Sequence, residues 1–169
     1  MKNYICINGN KTELTEEQLK QLGIELPKAN PFARVIPYDE FYYINSIGQV
    51  ELSHDGGSCV IGSCDDKRFD IANYCTDKAI MEQRALHETI NRLLWRYSME
   101  HDGDKIDWNI SDQRKHYIFV DVDTNQFHVD HSWTCCGIDR IYFYSKRIAE
   151  DAIEEIIKPF MKEHPEFKF

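Results

Sequence analysis

Six side chains of metal-binding type occur in two loops of this 169-residue chain. They are Cys59, Cys64, His128, His131, Cys135 and Cys136. Thiolate and imidazole groups bind zinc tetrahedrally, so a metal site built from Cys59, Cys64, His131, Cys135 and Cys136 stays open as an alternative. However, no Cys-x-x-Cys pair occurs, and adjacent cysteines rarely both reach one ion. We therefore predict reduced, partly buried thiols, with no metal and no other cofactor.

Acidic and amide side chains follow one another in the segment that begins at Asp121. Asp121, Asp123 and Asn125 occupy the first, third and fifth places of a calcium-binding loop. The sixth place holds Gln126 instead of glycine, and the twelfth holds Ser132 instead of a bidentate glutamate. Aspartate and asparagine are also typical of hairpin turns. We therefore predict a turn here and no calcium site.

The sequence contains no residue set that identifies a chemical reaction. Nucleophilic catalysis needs a thiol or hydroxyl beside a base, and spacing does not show which of the seven histidines approaches a cysteine. The glycines near Gly56 and Gly62 lack the Lys-Ser/Thr pair of a phosphate-binding loop. We therefore predict that the protein is not an enzyme.

Acidic residues dominate the charge: 20 Lys and Arg face 29 Asp and Glu, for a formal charge of −9. This balance disfavours direct binding to nucleic acid. An acidic face that docks on a basic partner is the sharper hypothesis, and a solvated acidic surface is the simpler one. The candidate patch consists of Asp65, Asp66, Asp70, Asp121, Asp123, Asp130, Glu150, Asp151, Glu154 and Glu155.

Local signals at the start of the chain predict a small ββα module over residues 1–23. The pair Asn8-Gly9 suits a tight hairpin turn between strands over 4–7 and 11–14. Thr15 and Gln18 form a capping box for the helix that follows, and Gly23 is placed to end it. Residues 24–38 contain three prolines and are predicted to be an extended connector.

Residues 39–100 and 101–169 are each predicted to form a βββα unit. The first has a hairpin over 41–52, a strand over 67–74 and a long helix capped by Thr76. The second has strands over 116–121, 126–130 and 138–144, then a helix capped by Ser145 and limited by Pro159. We expect one α+β domain over residues 1–169, with a mainly antiparallel sheet packed against two helices.

The first twenty residues contain no continuous apolar region of a secretory signal, and no stretch of the sequence is apolar enough to span a membrane. We therefore expect a cytoplasmic protein with no membrane partner, in which the six cysteines stay reduced.

Several local patterns stand in a characteristic order along residues 2–157. They are INGNKTELTEEQLKQLGI, NPFARV, FYYINSIGQV, RFDIANYCTDKAIMEQ, IDW, HYIFVD and IYFYSKRIAEDAIEEI. As a set they resemble uncharacterised accessory proteins encoded by phages and prophages of low-GC Gram-positive bacteria. The resemblance brings no functional residues with it. It implies a context in which small acidic proteins resemble inhibitors of host defence nucleases, including anti-CRISPR proteins.

The leading hypothesis is therefore a phage-derived binding protein that inhibits a host protein, for example a basic nuclease whose channel accepts an acidic mimic of nucleic acid. The alternative is a binding protein for nucleotide signals, whose pocket would need cations such as Arg68 and Arg140 beside aromatic rings. Stacking of nucleobases on Tyr42, Tyr43, Tyr142 or Tyr144 is a related option, although core packing explains these rings better. The sequence leaves both a monomer and a homodimer open.

Overall fold

Short antiparallel sheets and helices make up the fold, and the predicted α+β class is confirmed. The computed structural model describes residues 3–7, 10–22, 30–36, 38–56 and 62–168. The chain divides into two compact units, residues 1–33 and residues 34–169, and their boundary falls within the predicted connector. The organisation of the whole chain as one domain stays a prediction.

The first unit is a hairpin followed by a short helix, as predicted. Strands β1 (Asn3–Ile7) and β2 (Asn10–Leu14) pair antiparallel, and helix α1 spans Glu16–Gln21. The Gln18 N–H donates to Thr15 Oγ1 at 3.3 Å, and the Thr15 N–H donates to Gln18 Oε1 at 2.9 Å. These reciprocal bonds confirm the capping box. The predicted turn at Asn8-Gly9 and the stop at Gly23 lie outside the described residues.

The second unit begins with the hairpin that was predicted over residues 41–52. Strands β3 (Glu40–Ile44) and β4 (Val50–His54) pair antiparallel. Gly48, in the turn between them, has a φ of +86°, a conformation that a residue with a Cβ atom rarely adopts. We call residues 34–77 the first hairpin region.

The strand predicted over residues 67–74 is wrong, because a helix, α2 (Cys64–Asp70), occupies the first half of that segment. The Ser63 side chain accepts from the Asp66 N–H, and the Asp66 side chain accepts from the Ser63 N–H. This capping box starts a helix in a segment where the alternation of apolar and charged residues had suggested a strand. After the helix, Cys75 pairs with the hairpin through an isolated bridge to Tyr42.

Helix α3 (Lys78–Glu100) is the long amphipathic helix that the sequence predicts. It is capped by Asp77 and not by Thr76, since Asp77 Oδ1 accepts from the N–H groups of Ala79 and Ile80. The side chains of Arg84, Glu88 and Arg92 form ion pairs at four-residue spacing.

The second hairpin region comprises residues 101–145 and contains a three-stranded antiparallel sheet in the order β6-β5-β7. Its strands are β5 (Lys115–Asp121), β6 (Gln126–Ser132) and β7 (Tyr142–Phe143). Strand β7 is much shorter than the strand predicted over 138–144. The described strands of the two hairpin regions lie in separate sheets and do not join in the one sheet that we expected. The second unit therefore has two small sheets in place of one large sheet.

A helix with one irregular turn follows strand β7. Helix α4 (Lys146–Ala152) continues through a π turn (Ile153–Ile157) into helix α5 (Lys158–Glu163). Ser145 Oγ accepts from the Ile148 N–H, which confirms the predicted cap. The prediction that Pro159 ends the helix is wrong. The wider turn before Pro159 alters the hydrogen-bond pattern at the point where a proline would otherwise clash with the preceding turn.

Helix α3 carries a separate apolar cluster on each of its halves. Its N-terminal half packs Met81 and Ala85 against Ile44 and Cys75 of the first hairpin region. Its C-terminal half joins the main core of the unit. The buried members of that core are Ile90, Leu94, Tyr97, Phe143, Ala149, Ala152, Ile153, Ile157, Phe160 and Phe167.

Candidate binding surface

The predicted acidic patch is distributed over three parts of the second unit. Asp65, Asp66 and Asp70 lie on helix α2. Asp121, Asp123 and Asp130 belong to the β5–β6 hairpin, and the four remaining residues lie on α4 and the π turn. Those four are Glu150, Asp151, Glu154 and Glu155.

On helix α2, two of the three carboxylates form ion pairs within the protein. Asp65 pairs with Arg68, and Asp66 pairs with Arg34. The Arg34 guanidinium and the N–H groups of Gly62 and Ser63 bind Asp66, and together they lower the pKa of its carboxyl. These two residues therefore have internal partners and are less available for docking than their sequence positions suggested.

Arg34 also binds Asp55, whose carboxylate is 1 % exposed. Arg34 Nε donates to Asp55 Oδ2 at 2.9 Å, and the Tyr74 hydroxyl donates to the same oxygen at 3.0 Å. Burial, opposed by a hydrogen bond from the Val35 N–H, raises the pKa of Tyr74 to about 12. We call Arg34, Asp55 and Tyr74 the carboxylate anchor of the first hairpin region.

Three helical carboxylates of the predicted patch pair with cations one turn away. Glu150 pairs with Lys146, Asp151 with Arg147, and Glu154 with Lys158. Glu155 accepts a hydrogen bond from the Tyr97 hydroxyl at 3.3 Å. Because exposed pairs of this kind offset each other's charge, this helix is a weaker mimic of a phosphate backbone than its composition suggests.

The turn prediction at Asp121 agrees with the hydrogen bonding. Asp121 Oδ1 accepts from the N–H groups of Asp123 and Thr124 at 2.9 and 3.0 Å. These bonds lower the pKa of the Asp121 carboxyl. Asn125 completes the turn with a φ of +53°. Asp123 and Asp130 are exposed on the same hairpin, so this part of the acidic patch does face solvent.

The cysteine and histidine side chains do not converge on one point. Cys64 begins helix α2, His131 lies on β6, and Cys135 and Cys136 are exposed in the loop after β6. Within the described ranges, no three His, Cys, Asp or Glu side chains are placed to share a metal ion. Cys59 lies outside the described residues.

One face of the three-stranded sheet turns away from the core. Ile118, Phe127 and Val129 pack against the main core. Since side chains alternate along a strand, the neighbouring residues point to the opposite side. We call this side the outer face, and its residues on β5 and β6 include Tyr117, Phe119, His128 and Asp130.

Aromatic rings form a continuous row across the outer face. The ring centroids of Phe119 and His128 are 5.6 Å apart, and those of Phe119 and Tyr117 are 6.4 Å apart. Tyr117 contacts Tyr142 at 6.0 Å, and Tyr142 contacts Trp108 edge to face at 4.9 Å. Phe119 is 41 % exposed and Trp108 is 38 % exposed. The row therefore offers apolar surface to solvent at both of its ends.

Cations lie against this aromatic row. The guanidinium carbon of Arg140 is 4.1 Å from the Tyr117 ring centroid, and Lys115 Nζ is 5.3 Å from that of Trp108. Lys115 is fully buried, and its Nζ donates to the carbonyl oxygens of Ile110 at 2.6 Å and Trp133 at 3.1 Å. We call Lys115 and these two carbonyls the lysine anchor. It connects the loop before strand β5 and the loop after strand β6 to strand β5.

Hydrogen bonds of Tyr142 fix the second of these loops. The Gly137 N–H donates to the Tyr142 hydroxyl at 2.7 Å, and that hydroxyl lies 3.3 Å from the Cys135 carbonyl oxygen, to which it donates. The loop thus holds Arg140 beside Tyr117. The sequence alone points to Arg140 and Tyr142 as ligand-binding candidates. It does not point to Tyr117, Phe119 and Trp108. The alternation in HYIFVD was the available signal, although it does not show which side is covered.

An open groove of about 540 Å³ lies beside the first hairpin. It is lined by Val35, Tyr38, Asp39, Glu40, His54 and Thr76. Most of these side chains are polar, so the groove presents little apolar area to a ligand. The outer face combines exposed aromatic rings with an ordered cation, and it is therefore the stronger candidate.

No helix among the described residues is both long and apolar enough to cross a membrane. Comparisons with protein-family models, with curated proteins and with solved structures find no match to this chain.

Proposed function

We propose that this chain is a non-enzymatic binding protein and that the outer face of the three-stranded sheet holds its partner. The observation that carries the proposal is the row of aromatic rings from Phe119 to Trp108, with Arg140 packed on Tyr117. Tyrosine, tryptophan, phenylalanine and arginine are enriched where protein interfaces bury most surface. A partner protein would cover rings that now face solvent.

The charges around the row favour a basic partner. Asp121, Asp123 and Asp130 lie on the same hairpin as Phe119, and the chain as a whole carries a formal charge of −9. An acidic rim speeds association with a basic surface, and it repels nucleic acid. The partner we propose is therefore a protein with a basic surface, and not a nucleic acid.

The resemblance to phage and prophage accessory proteins supports a bacterial host protein as the partner. In that context, the proposed role is inhibition of the host protein in the cytoplasm. A defence nuclease fits best, because a channel that binds nucleic acid is basic. The proposal needs no cofactor and no membrane.

Affinity capture from a lysate of a low-GC Gram-positive host tests this proposal. The wild-type chain is compared with Phe119→Ala and with Trp95→Ala, which truncates a 58 % exposed tryptophan on helix α3. We expect Phe119→Ala to weaken binding of the captured protein about tenfold, as loss of an interface hot spot does, and Trp95→Ala to leave it unchanged. Asp123→Lys should slow association at low salt and have less effect at high salt.

Equal affinity of the Phe119→Ala and wild-type chains for the captured protein would contradict the proposed surface. If the partner is a nuclease, the wild-type chain should also inhibit cleavage, and Phe119→Ala should require about ten times more protein for the same inhibition. Capture without inhibition would leave binding supported and would refute the inhibitory role.

A nucleotide ligand is the second candidate, and the position of Arg140 over Tyr117 favours it. Arg68 also lies over an aromatic ring, 3.6 Å from the centroid of Tyr43. A base would stack on Phe119 while its phosphate contacts Arg140. Nucleotides should then raise the melting temperature of the wild-type chain and not that of Arg140→Met. No rise with any nucleotide would refute this candidate.

A further inference from the structure

A second cluster of side chains lies at the end of the sheet, on the side opposite the outer face. It consists of Arg114, His116, His131 and Trp133, and we call it the sheet-end cluster. His116 and His131 are directly opposite in the β5–β6 register, with ring centroids 5.9 Å apart. His131 meets Trp133 edge to face at 5.5 Å, and the Arg114 guanidinium carbon lies 5.1 Å from the Trp133 centroid.

One atom of this cluster has an unmet hydrogen-bonding requirement. His116 Nδ1 is buried and has no hydrogen-bond partner among the described residues. A buried polar atom without a partner costs free energy, so such atoms are rare in folded proteins. The neighbouring Trp133 is 40 % exposed, so this part of the cluster faces solvent. A ligand that hydrogen-bonds to Nδ1 would remove this cost.

The charged groups around His116 are mainly cationic. Arg114, His131 and Lys146 all act to lower the pKa of His116, although burial is the largest cause. A hydrogen bond between the His116 ring and the Phe143 backbone acts in the opposite direction and raises this pKa. Two carboxylates pair with these groups: Asp130 Oδ1 lies 3.5 Å from His131 Nδ1, and Glu150 Oε1 lies 3.3 Å from Lys146 Nζ. Asp130 therefore orients His131, while the positive groups dominate on the His116 side.

We propose that the sheet-end cluster binds a phosphate group. Arg114 would supply charge, His131 a second donor, and His116 would donate through Nδ1 once protonated. Trp133 would form an aromatic wall beside the phosphate. Guanidinium, ammonium and imidazolium groups are the side chains that bind phosphate most strongly in proteins.

The same charges argue against a metal ion at the two histidines. A divalent cation would bring further positive charge close to Arg114 and Lys146, and two imidazoles alone do not complete a tetrahedral set. An anion reverses both arguments, because it offsets the positive charge and accepts hydrogen bonds from both rings. The site therefore belongs to the chemistry of phosphate and phosphate esters.

Calorimetric titration of the full chain with inorganic phosphate, adenosine monophosphate and adenosine tests the proposal. Phosphate-containing probes should bind to the wild-type chain, and adenosine should not. His116→Phe and Arg114→Met should each weaken binding about tenfold, the typical effect of losing one charge-assisted hydrogen bond. Arg92→Met is the matched control, since it removes the same charge from an exposed position on helix α3 and should leave binding unchanged.

The two phosphate probes distinguish the sources of the ligand. Tighter binding of the nucleotide than of inorganic phosphate indicates a phosphate ester whose base contacts Trp133, and equal binding indicates phosphate itself. Absence of binding by both probes, an equal loss in Arg92→Met and Arg114→Met, or a loss in Arg140→Met alone would overturn the proposal. The outer-face proposal does not depend on this result, because Phe119→Ala alters a different side of the sheet.

Protonation of His116 gives an independent readout. Binding of an anion favours the imidazolium form, so each bound anion should bring a proton onto His116. Sulfate keeps its charge across this range, and it should bind more tightly at about pH 5.5 than at about pH 8, where histidine is neutral. In ¹⁵N spectra of the histidine rings, the Nδ1 signal of His116 should move on sulfate addition. An unchanged signal at saturating sulfate would refute the role of this atom.

Discussion

The two hairpin regions rest on opposite halves of helix α3 and bury their charged groups in different ways. In the first region, the Asp55 carboxylate is held by the Arg34 guanidinium and the Tyr74 hydroxyl. In the second region, the Lys115 ammonium donates to two backbone carbonyls. Among the described residues, no carboxylate accepts a hydrogen bond from it. A carboxylate anchor therefore contains a formal ion pair, whereas a lysine anchor depends on carbonyl dipoles.

This difference determines what each anchor loses when one member is removed. Removal of Arg34 leaves a buried negative charge, which is expensive in a medium of low polarity. Removal of Lys115 leaves two neutral carbonyl groups, and each of these costs less than a charge. The comparison therefore predicts that the first hairpin region is the more sensitive to the loss of its cation.

Arg34→Met should give the largest effect. Because Asp55 is 1 % exposed, its carboxylate would be left buried without its cation. We expect a loss of about 3 kcal/mol in the free energy of unfolding, measured by urea denaturation. Arg92→Met, which removes an exposed partner of Glu88, should cost under about 0.5 kcal/mol. The double variant Arg34→Met with Asp55→Asn should be more stable than Arg34→Met alone, and the opposite order would show that the ion pair does not cause the loss.

Lys115→Met should have an intermediate effect. It keeps the apolar stem but leaves the carbonyls of Ile110 and Trp133 without their donor, so we expect a loss of about 1–3 kcal/mol. Amide hydrogen exchange should accelerate in residues 106–114 and 133–141, which the lysine anchor ties to β5. Lys105→Met removes an exposed lysine and serves as the control. A loss larger than that of Arg34→Met would reverse the comparison between the two anchors.

The pH dependence of the free energy of unfolding should be the smallest effect. The titrating group differs between the two hairpin regions, so each region should lose stability in a different pH range. Burial lowers the pKa of His116 below its usual 6.5, so the unfolded chain binds more protons just below that pH. Stability should therefore decline as the pH falls below about 6.5, and this decline should be reduced in His116→Phe. Asp66, with a pKa below its usual 3.8, should contribute a separate loss only in stronger acid. An identical decline in His116→Phe and wild type would exclude His116 as the cause.

Local hydrogen-bonding signals explain the parts of the fold that the sequence predicts well. The caps at Thr15 and Ser145 and the turn at Asp121 depend on residues within three positions of one another. Helix α2 has the same kind of signal at Ser63 and Asp66, but the alternation of Phe69 and Ile71 predicts a strand in the same segment. In a short segment, a capping box is the better evidence.

The candidate surface was harder to predict, because it depends on contacts between distant residues. The row from Phe119 to Trp108 exists only in the observed strand register and with both flanking loops in place. Lysine is usually exposed, so nothing in the sequence indicated that Lys115 is buried. The pairing of Asp66 was hard to predict for a related reason: its partner Arg34 is 32 residues away, at a position that only the fold determines.

The π turn at Ile153–Ile157 has a consequence for sequence alignment. Its hydrogen bonds reach five residues back instead of four, so the segment contains one residue more than a regular helix of the same length. An alignment to a chain with a regular helix therefore needs a one-residue gap near Glu154 and Glu155. Without that gap, each later position would be assigned about 100° away from its true place around the helix axis. The buried Phe160 would then be matched to a solvent-facing position.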